Sequence, residues 1–349
     1  MSDKMMKFAC LAEKGAAEVR ERPLPELGDF DVLLDMKACN ICTTDYQQWL
    51  GLREHQGYPM AGGHEAAGVV VETGAKVRDL KAGDLVATGD TGCGCCDACR
   101  RGEVDQCAEM TADTEDGYKW GLFGFSNRCV KKLNGLYKVK STVNPSEAAF
   151  LEPLATVIHG AKKLRIQPFE TVVVIGAGTM GLINAQVARA FGAKVIVSEM
   201  MEKKLKAAAA MGFEAVDCGK EDPVKAVMEM TEGEGADAVI VAVGATAANK
   251  QALEMLKEKD GRVLLFAAGY PAPEIDIDSN QTHYRRTEVI GTFGANNTDF
   301  AQAAKALSTG MVDVSGLIEE RKFTLDEIQE AYREASKPGM YRVSVLLDK

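Results

Sequence analysis

The sequence predicts an α/β protein in which a β-rich segment precedes a doubly wound parallel sheet. Residues 1 to about 150 contain short runs of Val, Leu and Gly broken by Gly-Asp and Pro turns, which is typical of short strands. From Pro168 onward, continuous apolar runs alternate with helical patterns, as in βαβ units. The length of 349 residues suffices for two domains with separate cores.

We expect the β-rich domain to be completed by the C-terminal end of the chain, whose final strand returns to it. This domain is therefore placed at residues 1–155 and 291–349, and a second domain, residues 156–290, is inserted into it. The pattern predicts strands in the first domain at 31–36, 68–72, 84–87 and 341–346, and helices at 299–307 and 325–335.

The inserted domain is predicted to alternate strands and helices. Its first strand, 171–175, is apolar throughout, which suits a parallel strand buried on both faces. The predicted strands are 171–175, 194–199, 238–243 and 262–266, and the predicted helices are 182–191, 202–211, 223–230 and 247–257. This order is typical of a Rossmann domain.

A glycine-rich turn, Gly176-Ala177-Gly178-Thr179-Met180-Gly181, follows the first of these strands and opens a helix. Gly176 permits the tight turn, Gly178 lets the backbone approach a pyrophosphate, and Gly181 lets helix and strand pack closely. The N–H groups of the helix start, at Thr179 and Met180, favour phosphate. The turn therefore predicts a dinucleotide site.

Glu199 ends the next predicted strand, 23 positions after Gly176. An acidic side chain there accepts hydrogen bonds from ribose hydroxyls and repels a 2′-phosphate. Met200 and Met201, which follow, provide no cation for such a phosphate. We therefore expect NAD rather than NADP; a Rossmann-like core without a dinucleotide is the alternative.

Four cysteines with the spacing CxxCxxCx7C, namely Cys93, Cys96, Cys99 and Cys107, predict a structural zinc lobe. Four thiolates close a tetrahedral shell and leave no position for substrate. Cys95 is the additional cysteine, and a shell that uses Cys95 in place of Cys96 is possible but has a cramped spacing.

Three other short segments carry the residue types of a catalytic zinc site: Cys42 with Thr44 and Asp45, His64 with Glu65, and Glu152. Catalytic zinc takes three ligands from Cys, His and carboxylates and keeps a fourth position for water or substrate.

Composition favours a packed cytoplasmic protein that acts on a small molecule. The hydrophobic fraction is 46% and the charged fraction 26%, close to globular averages. The net charge of −10 argues against contacts to a phosphate backbone, so no nucleic acid is expected. We expect no signal peptide, because the residues Met1 to Phe8 lack its apolar run, and no stretch of about 20 apolar residues that could span a membrane is found. Six of the ten cysteines lie between Cys93 and Cys129, which favours metal binding over disulfides.

In this order along the chain, the Cys42 segment, Gly63-His64-Glu65-Ala66-Ala67-Gly68, the four-cysteine lobe, Glu152-Pro153-Leu154 and the glycine turn resemble zinc-dependent medium-chain alcohol dehydrogenases. The polyol and threonine dehydrogenase branch is the most similar. This resemblance implies a Rossmann domain inserted in a β-rich, GroES-like catalytic domain, with the active site in the cleft between them. It also implies a homodimer or homotetramer.

The same resemblance implies roles for individual residues. Cys42 and His64 are the zinc ligands, and either Glu65 or Glu152 is the third; we favour Glu152, with Glu65 close enough to exchange. Thr44 matches the hydroxyl that passes on the alcohol proton. Gln47 stands where many relatives carry the histidine that ends this relay.

The expected reaction is the transfer of a hydride to NAD from a secondary alcohol of a polyol, sugar or related small molecule. Amino-alcohol oxidation, as by threonine 3-dehydrogenase, is an alternative. A non-enzymatic ligand-binding relative is another, although the joint presence of Cys42, His64 and Glu152 argues against it. We interpret His159 as a packed histidine and His283 as part of a solvated or interface face.

Overall fold

The structure is a computed structural model that describes residues 5–109 and 114–347. The strands are β1 (Met5–Glu13), β2 (Ala16–Pro23), β3 (Asp31–Ile41), β4 (Glu65–Thr73), β5 (Leu85–Thr88), β6 (Arg128–Lys132), β7 (Leu136–Lys138), β8 (Thr171–Ile175), β9 (Lys194–Glu199), β10 (Glu214–Asp217), β11 (Ala238–Val241), β12 (Arg262–Leu265), β13 (Glu288–Gly291), β14 (Phe323–Thr324) and β15 (Val343–Leu346). The α-helices are α1 (Thr43–Leu50), α2 (Asp97–Arg100), α3 (Pro145–Ala148), α4 (Leu151–Leu164), α5 (Thr179–Ala190), α6 (Glu202–Ala210), α7 (Pro223–Met230), α8 (Thr246–Glu254), α9 (Ser279–Arg285), α10 (Asn297–Thr309) and α11 (Ile328–Ala335).

Residue contacts divide the chain into two units. Unit 1 comprises the residues up to Ala155 and those from Ala295 onward, and unit 2 is Thr156–Gly294. The first division coincides with the predicted one, and the second follows Gly294 rather than residue 290. It falls later because β13 is the edge strand of the unit 2 sheet, paired in parallel with β12.

Unit 1 is built mainly on antiparallel strands; β14 and β15 are parallel. β1 and β2 form a hairpin, and a seven-stranded sheet has the order β14-β15-β3-β4-β5-β7, with β6 also paired to β3. β15 runs antiparallel to β3, so the C-terminal end of the chain joins a sheet that begins near residue 31. Buried aromatic side chains, including Phe8, Phe125 and Tyr332, fill the core of this unit.

β3 is longer than the predicted strand at 31–36 and continues to Ile41. The alternation of apolar residues is interrupted at Asn40, so the sequence pattern does not predict that the strand continues to Ile41. Asn40 is nevertheless buried, and its side-chain amide donates to the Ser146 carbonyl oxygen over 2.9 Å. The added residues carry the strand to Cys42, so this extension positions the site.

Unit 2 is a six-stranded parallel sheet with the order β10-β9-β8-β11-β12-β13. Counted within the unit, this is the order 3-2-1-4-5-6 that binds dinucleotides where the order reverses, between β8 and β11. β11 is buried along its whole length, as expected for a strand covered on both faces. The Rossmann prediction is therefore confirmed.

The predicted bounds of β8, β9 and α7 match the structure. α5 begins at Thr179, three residues before the predicted start at residue 182, because the helix opens within the glycine turn. β10, β13 and α9 were not predicted. β10 buries only Val216, so its sequence carries no alternating pattern.

α4 begins in unit 1 and ends in unit 2, and it carries His159. The side chain of His159 is half-buried. None of the helices in the described part of the chain has both the length and the apolar character that a bilayer span requires.

Candidate active site

Two neighbouring strands bring the Cys42 and His64 segments together. Asn40 of β3 pairs with Glu65 of β4 in the antiparallel register. Cys42 directly follows β3 and His64 directly precedes β4, so both flank this pair. Residues that are more than 20 positions apart in the chain therefore become neighbours.

The start of α1 fixes the orientation of Cys42. Cys42 is the N-cap residue, and the Asp45 carboxylate accepts its backbone N–H over 3.0 Å in a capping box. The same carboxylate oxygen, Oδ2 of Asp45, lies 3.7 Å from Nδ1 of His64. The fully buried Asp45 therefore binds the Cys42 segment and places its negative charge beside His64.

Cys42, His64 and Glu65 form a compact set of potential metal ligands. One ligand atom from each, a sulfur, a ring nitrogen and a carboxylate oxygen, lies within 4.8 Å of the other two. The buried Nδ1 of His64 makes no hydrogen bond to any described residue. Cys, His and carboxylate are the donors that zinc takes at catalytic sites, so these side chains fit that metal.

Arg342 binds the carboxylate of this set. Its Nε lies 2.8 Å from Oε2 of Glu65 and its Nη2 lies 2.7 Å from Oε1. Nη2 also lies 3.5 Å from the Cys42 sulfur. Both Arg342 and Glu65 are buried, so this is a bidentate ion pair away from water. Sequence reasoning missed Arg342; the available signal was an arginine at the start of a mainly apolar strand.

Replacing Arg342 with methionine is expected to lower the free energy of unfolding of unit 1 by about 3–5 kcal/mol, since Glu65 then becomes a buried charge without its partner. Urea unfolding followed by tryptophan fluorescence measures this, because Trp49 and Trp120, the two tryptophans of the chain, both lie in unit 1. In the Arg342→Met variant, the further substitution Glu65→Gln should restore part of the lost free energy of unfolding. Equal stability of wild type and Arg342→Met at matched metal content would contradict the ion pair.

Glu152, in the first turn of α4, lies outside the compact set. Burial raises its pKa well above the usual range, while His64 opposes the shift and Asp90, Glu65 and Cys42 add to it. Glu152 therefore lies close enough to these groups for their charges to affect its pKa.

The site holds more acidic groups than cations. Burial raises the pKa of Cys42 to about 12, against the effect of Arg342. Burial lowers the pKa of His64, but Asp45, Glu152 and Glu65 outweigh it and the pKa is raised. Cys42 and His64 would bind a dication as thiolate and neutral imidazole, and the charge of the ion would offset the excess of acidic groups.

The four predicted lobe cysteines converge. The sulfur atoms of Cys93, Cys96, Cys99 and Cys107 all lie within 4.8 Å of one another, around α2. Cys95 is exposed and outside this group, although its sulfur is 3.6 Å from that of Cys93. Backbone N–H groups of Cys95 and Cys96 lower the pKa of Cys93 to about 6. Thiolates bind metals, so this set fits a tetrahedral zinc ion.

The glycine turn has the geometry that its sequence requires. Gly176 has φ +100°, and a Cβ there would approach Val243 to 2.5 Å. A Cβ on Gly181 would lie 1.8 Å from the carbonyl oxygen of Gly176, so only glycine fits between helix and strand. Gly178 is the N-cap of α5, whose first residues are Thr179 and Met180. The N–H groups of this helix start suit a phosphate.

Glu199 is buried and already bound to the backbone. Its carboxylate accepts N–H groups of Met200 and Met201 on one oxygen and that of Ala177, 2.8 Å away, on the other. It thus ties the end of β9 to the glycine turn. A cation that sequence reasoning missed lies nearby: Nζ of Lys204 is 3.7 Å from the position of a Cβ on Gly178.

Thr44 lies in the first turn of α1, and its hydroxyl oxygen accepts a hydrogen bond of 3.1 Å from Nη1 of Arg53. Nε of Arg53 donates to Nδ1 of His55, also over 3.1 Å. Arg53 was not predicted from the sequence. Since its guanidinium is permanently charged, the Thr44 hydroxyl is held as an acceptor on that side and directs its own proton elsewhere.

Two family models match the chain: the alcohol dehydrogenase GroES-like domain over residues 28–141 and the zinc-binding dehydrogenase over residues 179–309. Sorbitol dehydrogenase of Halalkalibacterium halodurans is 30% identical, over 93% of this chain and 94% of the relative. D-xylulose reductase A of Aspergillus oryzae is 32% identical, over 90% and 89%. L-idonate 5-dehydrogenase of Vitis vinifera is 29% identical, over 90% and 87%.

Among solved structures, a zinc-binding dehydrogenase of Sinorhizobium meliloti bound to NADP superposes with a TM-score of 0.87 at 30% identity, covering 98% of this chain and 99% of the other. These matches define a dehydrogenase composed of a GroES-like domain and a Rossmann domain. The chain belongs to the zinc-dependent medium-chain alcohol dehydrogenase family. It is an oxidoreductase of the class that uses zinc and a nicotinamide cofactor. The non-enzymatic and amino-alcohol alternatives are accordingly not favoured.

Proposed function

We propose that the protein oxidises a secondary alcohol of a polyol, sugar or related small molecule, with NAD as hydride acceptor. The observation that carries the proposal is the compact set of Cys42, His64 and Glu65 in a chain whose relatives are named as sorbitol, idonate and xylulose enzymes. The alcohol becomes a ketone, its carbon-bound hydrogen leaves as hydride to form NADH, and its hydroxyl proton is released.

Cys42, His64 and a carboxylate are proposed to hold the catalytic zinc. Lewis-acid polarisation of the alcohol oxygen is the chemistry that zinc supplies when bound there. The compact set of Cys42, His64 and Glu65 supports Glu65 as the third ligand, whereas the preference for Glu152 remains a prediction. Arg342 would hold Glu65 in one orientation in either case, and Asp45 would orient Cys42 and His64.

Thr44 is proposed to exchange the proton of the alcohol. The bond from Arg53 leaves the Thr44 hydrogen directed away from the guanidinium, which suits donation to, or exchange with, a neighbouring oxygen. Gln47 cannot take up a proton near neutral pH, so water is proposed to complete the transfer.

The decisive experiment for this function is a substrate screen that follows NADH absorbance over polyols, sugar acids, short diols and simple secondary alcohols. We expect turnover of at least one polyol or sugar derivative, at a higher kcat/KM than for 2-propanol. Oxidation of simple alcohols alone, by protein with verified zinc content, would contradict the polyol assignment.

NAD is proposed as the cofactor, bound by the turn of Gly176, Gly178, Thr179, Met180 and Gly181. Glu199 contributes negative charge at the end of β9, which disfavours a 2′-phosphate. A second candidate is NADP, which Lys204 beside Gly178 and the NADP-bound relative favour.

The substitution Lys204→Ala tests whether the protein binds NAD or NADP. We expect the Kd for NADH to rise about 3- to 10-fold through loss of a charged hydrogen bond. If Lys204 instead reaches a 2′-phosphate, the Kd for NADPH rises more than that for NADH. Calorimetric titration of both cofactors measures this, with Lys206→Ala as the matched control because Lys206 lies on the same helix and pairs with Glu202.

We further propose a cytoplasmic homodimer or homotetramer that binds neither nucleic acid nor membrane. The net charge of −10 supports the exclusion of nucleic acid. Clustered thiols that serve as metal ligands fit a reducing compartment. Light scattering of the purified protein tests the oligomeric state, and a monomeric mass would contradict it.

A further inference from the structure

A cavity of about 200 Å³ lies in unit 1, and none of the three potential metal ligands belongs to its lining. Its walls are the end of β5 and the residues after it, the loop at 120–123, and β6. Its polar and aromatic lining includes Asp90, Trp120 and Lys131. Since one water takes up about 30 Å³ in the liquid, the space accommodates several polar groups of a small molecule.

Among the described residues of this lining, Asp90 carries the only carboxylate. It forms neither a hydrogen bond nor an ion pair with any residue in the described part of the chain. Burial raises the pKa of Asp90, while the charge of nearby His64 opposes this shift and that of Asp105 adds to it. Lys131, on the same cavity, donates to the carbonyl oxygen of Leu122 instead. A half-buried carboxylate that lines a cavity and has no protein partner there can accept hydrogen bonds from a molecule bound in the cavity.

Trp120 connects this cavity with the metal set. Its ring centroid is 5.1 Å from that of His64, with an angle of 38° between the planes. The loop that presents it is strained, because Trp120 has φ +62° and Phe123 has φ +49°, both in the left-handed region. Strain of this kind persists where the surroundings enforce it, commonly at ligand sites.

A carboxylate beside an indole suits a polyhydroxylated substrate. Hydroxyl groups donate to carboxylate oxygens in charge-assisted hydrogen bonds, and the apolar C–H face of such a chain packs against an aromatic ring. A simple apolar alcohol has no further hydroxyl group to donate to the carboxylate. A cavity with this lining is therefore suited to distinguish a polyol from a simple alcohol, through the hydroxyl groups of the polyol that are not oxidised.

We propose that Asp90 is a specificity-determining residue that accepts hydrogen bonds from substrate hydroxyl groups other than the one oxidised, with Trp120 packing against the carbon chain. This inference rests on the proposed polyol dehydrogenase function and names the residue that recognises the polyol. It assigns the cavity as the part of the substrate site that holds the remainder of the chain.

The test compares kcat/KM for a polyol with kcat/KM for 2-propanol in wild type and Asp90→Asn, with Asp79→Asn as the matched control. Asp79 is an exposed acid of the same unit. Asp90→Asn is expected to lose about 10- to 100-fold in kcat/KM for the polyol and less than about twofold for 2-propanol. Asp79→Asn should change neither value.

A deoxy analogue of the best polyol locates the contact. If Asp90 binds the missing hydroxyl, wild type discriminates against the analogue and Asp90→Asn does not. Equal discrimination by both proteins overturns the inference, and so does a polyol-to-propanol ratio that the substitution leaves unchanged. A wild type that oxidises 2-propanol but no polyol instead defeats the proposed function itself.

Thermal unfolding distinguishes recognition from a structural role. Because Asp90 has no protein partner among the described residues, Asp90→Asn should leave Tm unchanged or raise it. A lowered Tm together with equal losses for both substrates would assign Asp90 to the fold and overturn the inference. Asp90→Glu, which retains the charge, should restore part of the polyol preference.

Discussion

Replacing Cys42 with serine is expected to reduce kcat/KM by about 1000-fold or more, because the proposed metal site loses its thiolate. Lewis-acid stabilisation of developing charge contributes several kcal/mol, and each 1.36 kcal/mol corresponds to a factor of ten in rate. The NADH-linked assay measures the loss, and metal analysis of the same sample reports zinc content. Binding of NADH should change little, since the glycine turn lies in unit 2 and Cys42 in unit 1.

A matched control is Cys39→Ser. Cys39 is fully buried in the core of unit 1, three positions before Cys42, and outside the compact ligand set. It should cost stability without removing activity per folded molecule. Full activity of Cys42→Ser at verified zinc content would exclude Cys42 as a ligand.

Replacing Cys107 with serine is expected to lower the melting temperature of unit 1 by about 10 °C or more. A structural zinc ion contributes about 10–16 kcal/mol of binding free energy in small zinc domains, and about 1 kcal/mol shifts Tm by a few degrees in a unit of this size. The loop around α2 has little apolar core of its own, so it depends on the four thiolates. Calorimetry with parallel zinc analysis gives the result.

Cys95→Ser is the control for this lobe and also decides between the two possible shells. Cys95 is exposed and its sulfur lies outside the converging group, so its replacement should change neither zinc content nor Tm. If Cys95→Ser loses zinc and Cys96→Ser does not, the ligand set must be reassigned.

The sequence alone determined the features that depend on local pattern. The apolar run of β8, the glycine turn and the alternation after it predict the parallel sheet of unit 2, because strands and helices leave different periods in the sequence. The spacing of Cys93, Cys96, Cys99 and Cys107 predicts their convergence, since a short loop keeps them close. The short edge strand β10 leaves no such pattern and was missed.

Only the tertiary structure decided which side chains share the buried site. Arg342 is 300 positions from Cys42, and it reaches the site because β15 pairs with β3, which places Val343 opposite Ile41. Which of Glu65 and Glu152 lies in the compact ligand set likewise depends on the pairing of β3 with β4. Strand pairing of this kind is set by packing between distant segments and leaves no local signal. The Cys42 segment therefore predicts a metal site, whereas the pairing of distant strands brings Arg342 and Glu65 to it.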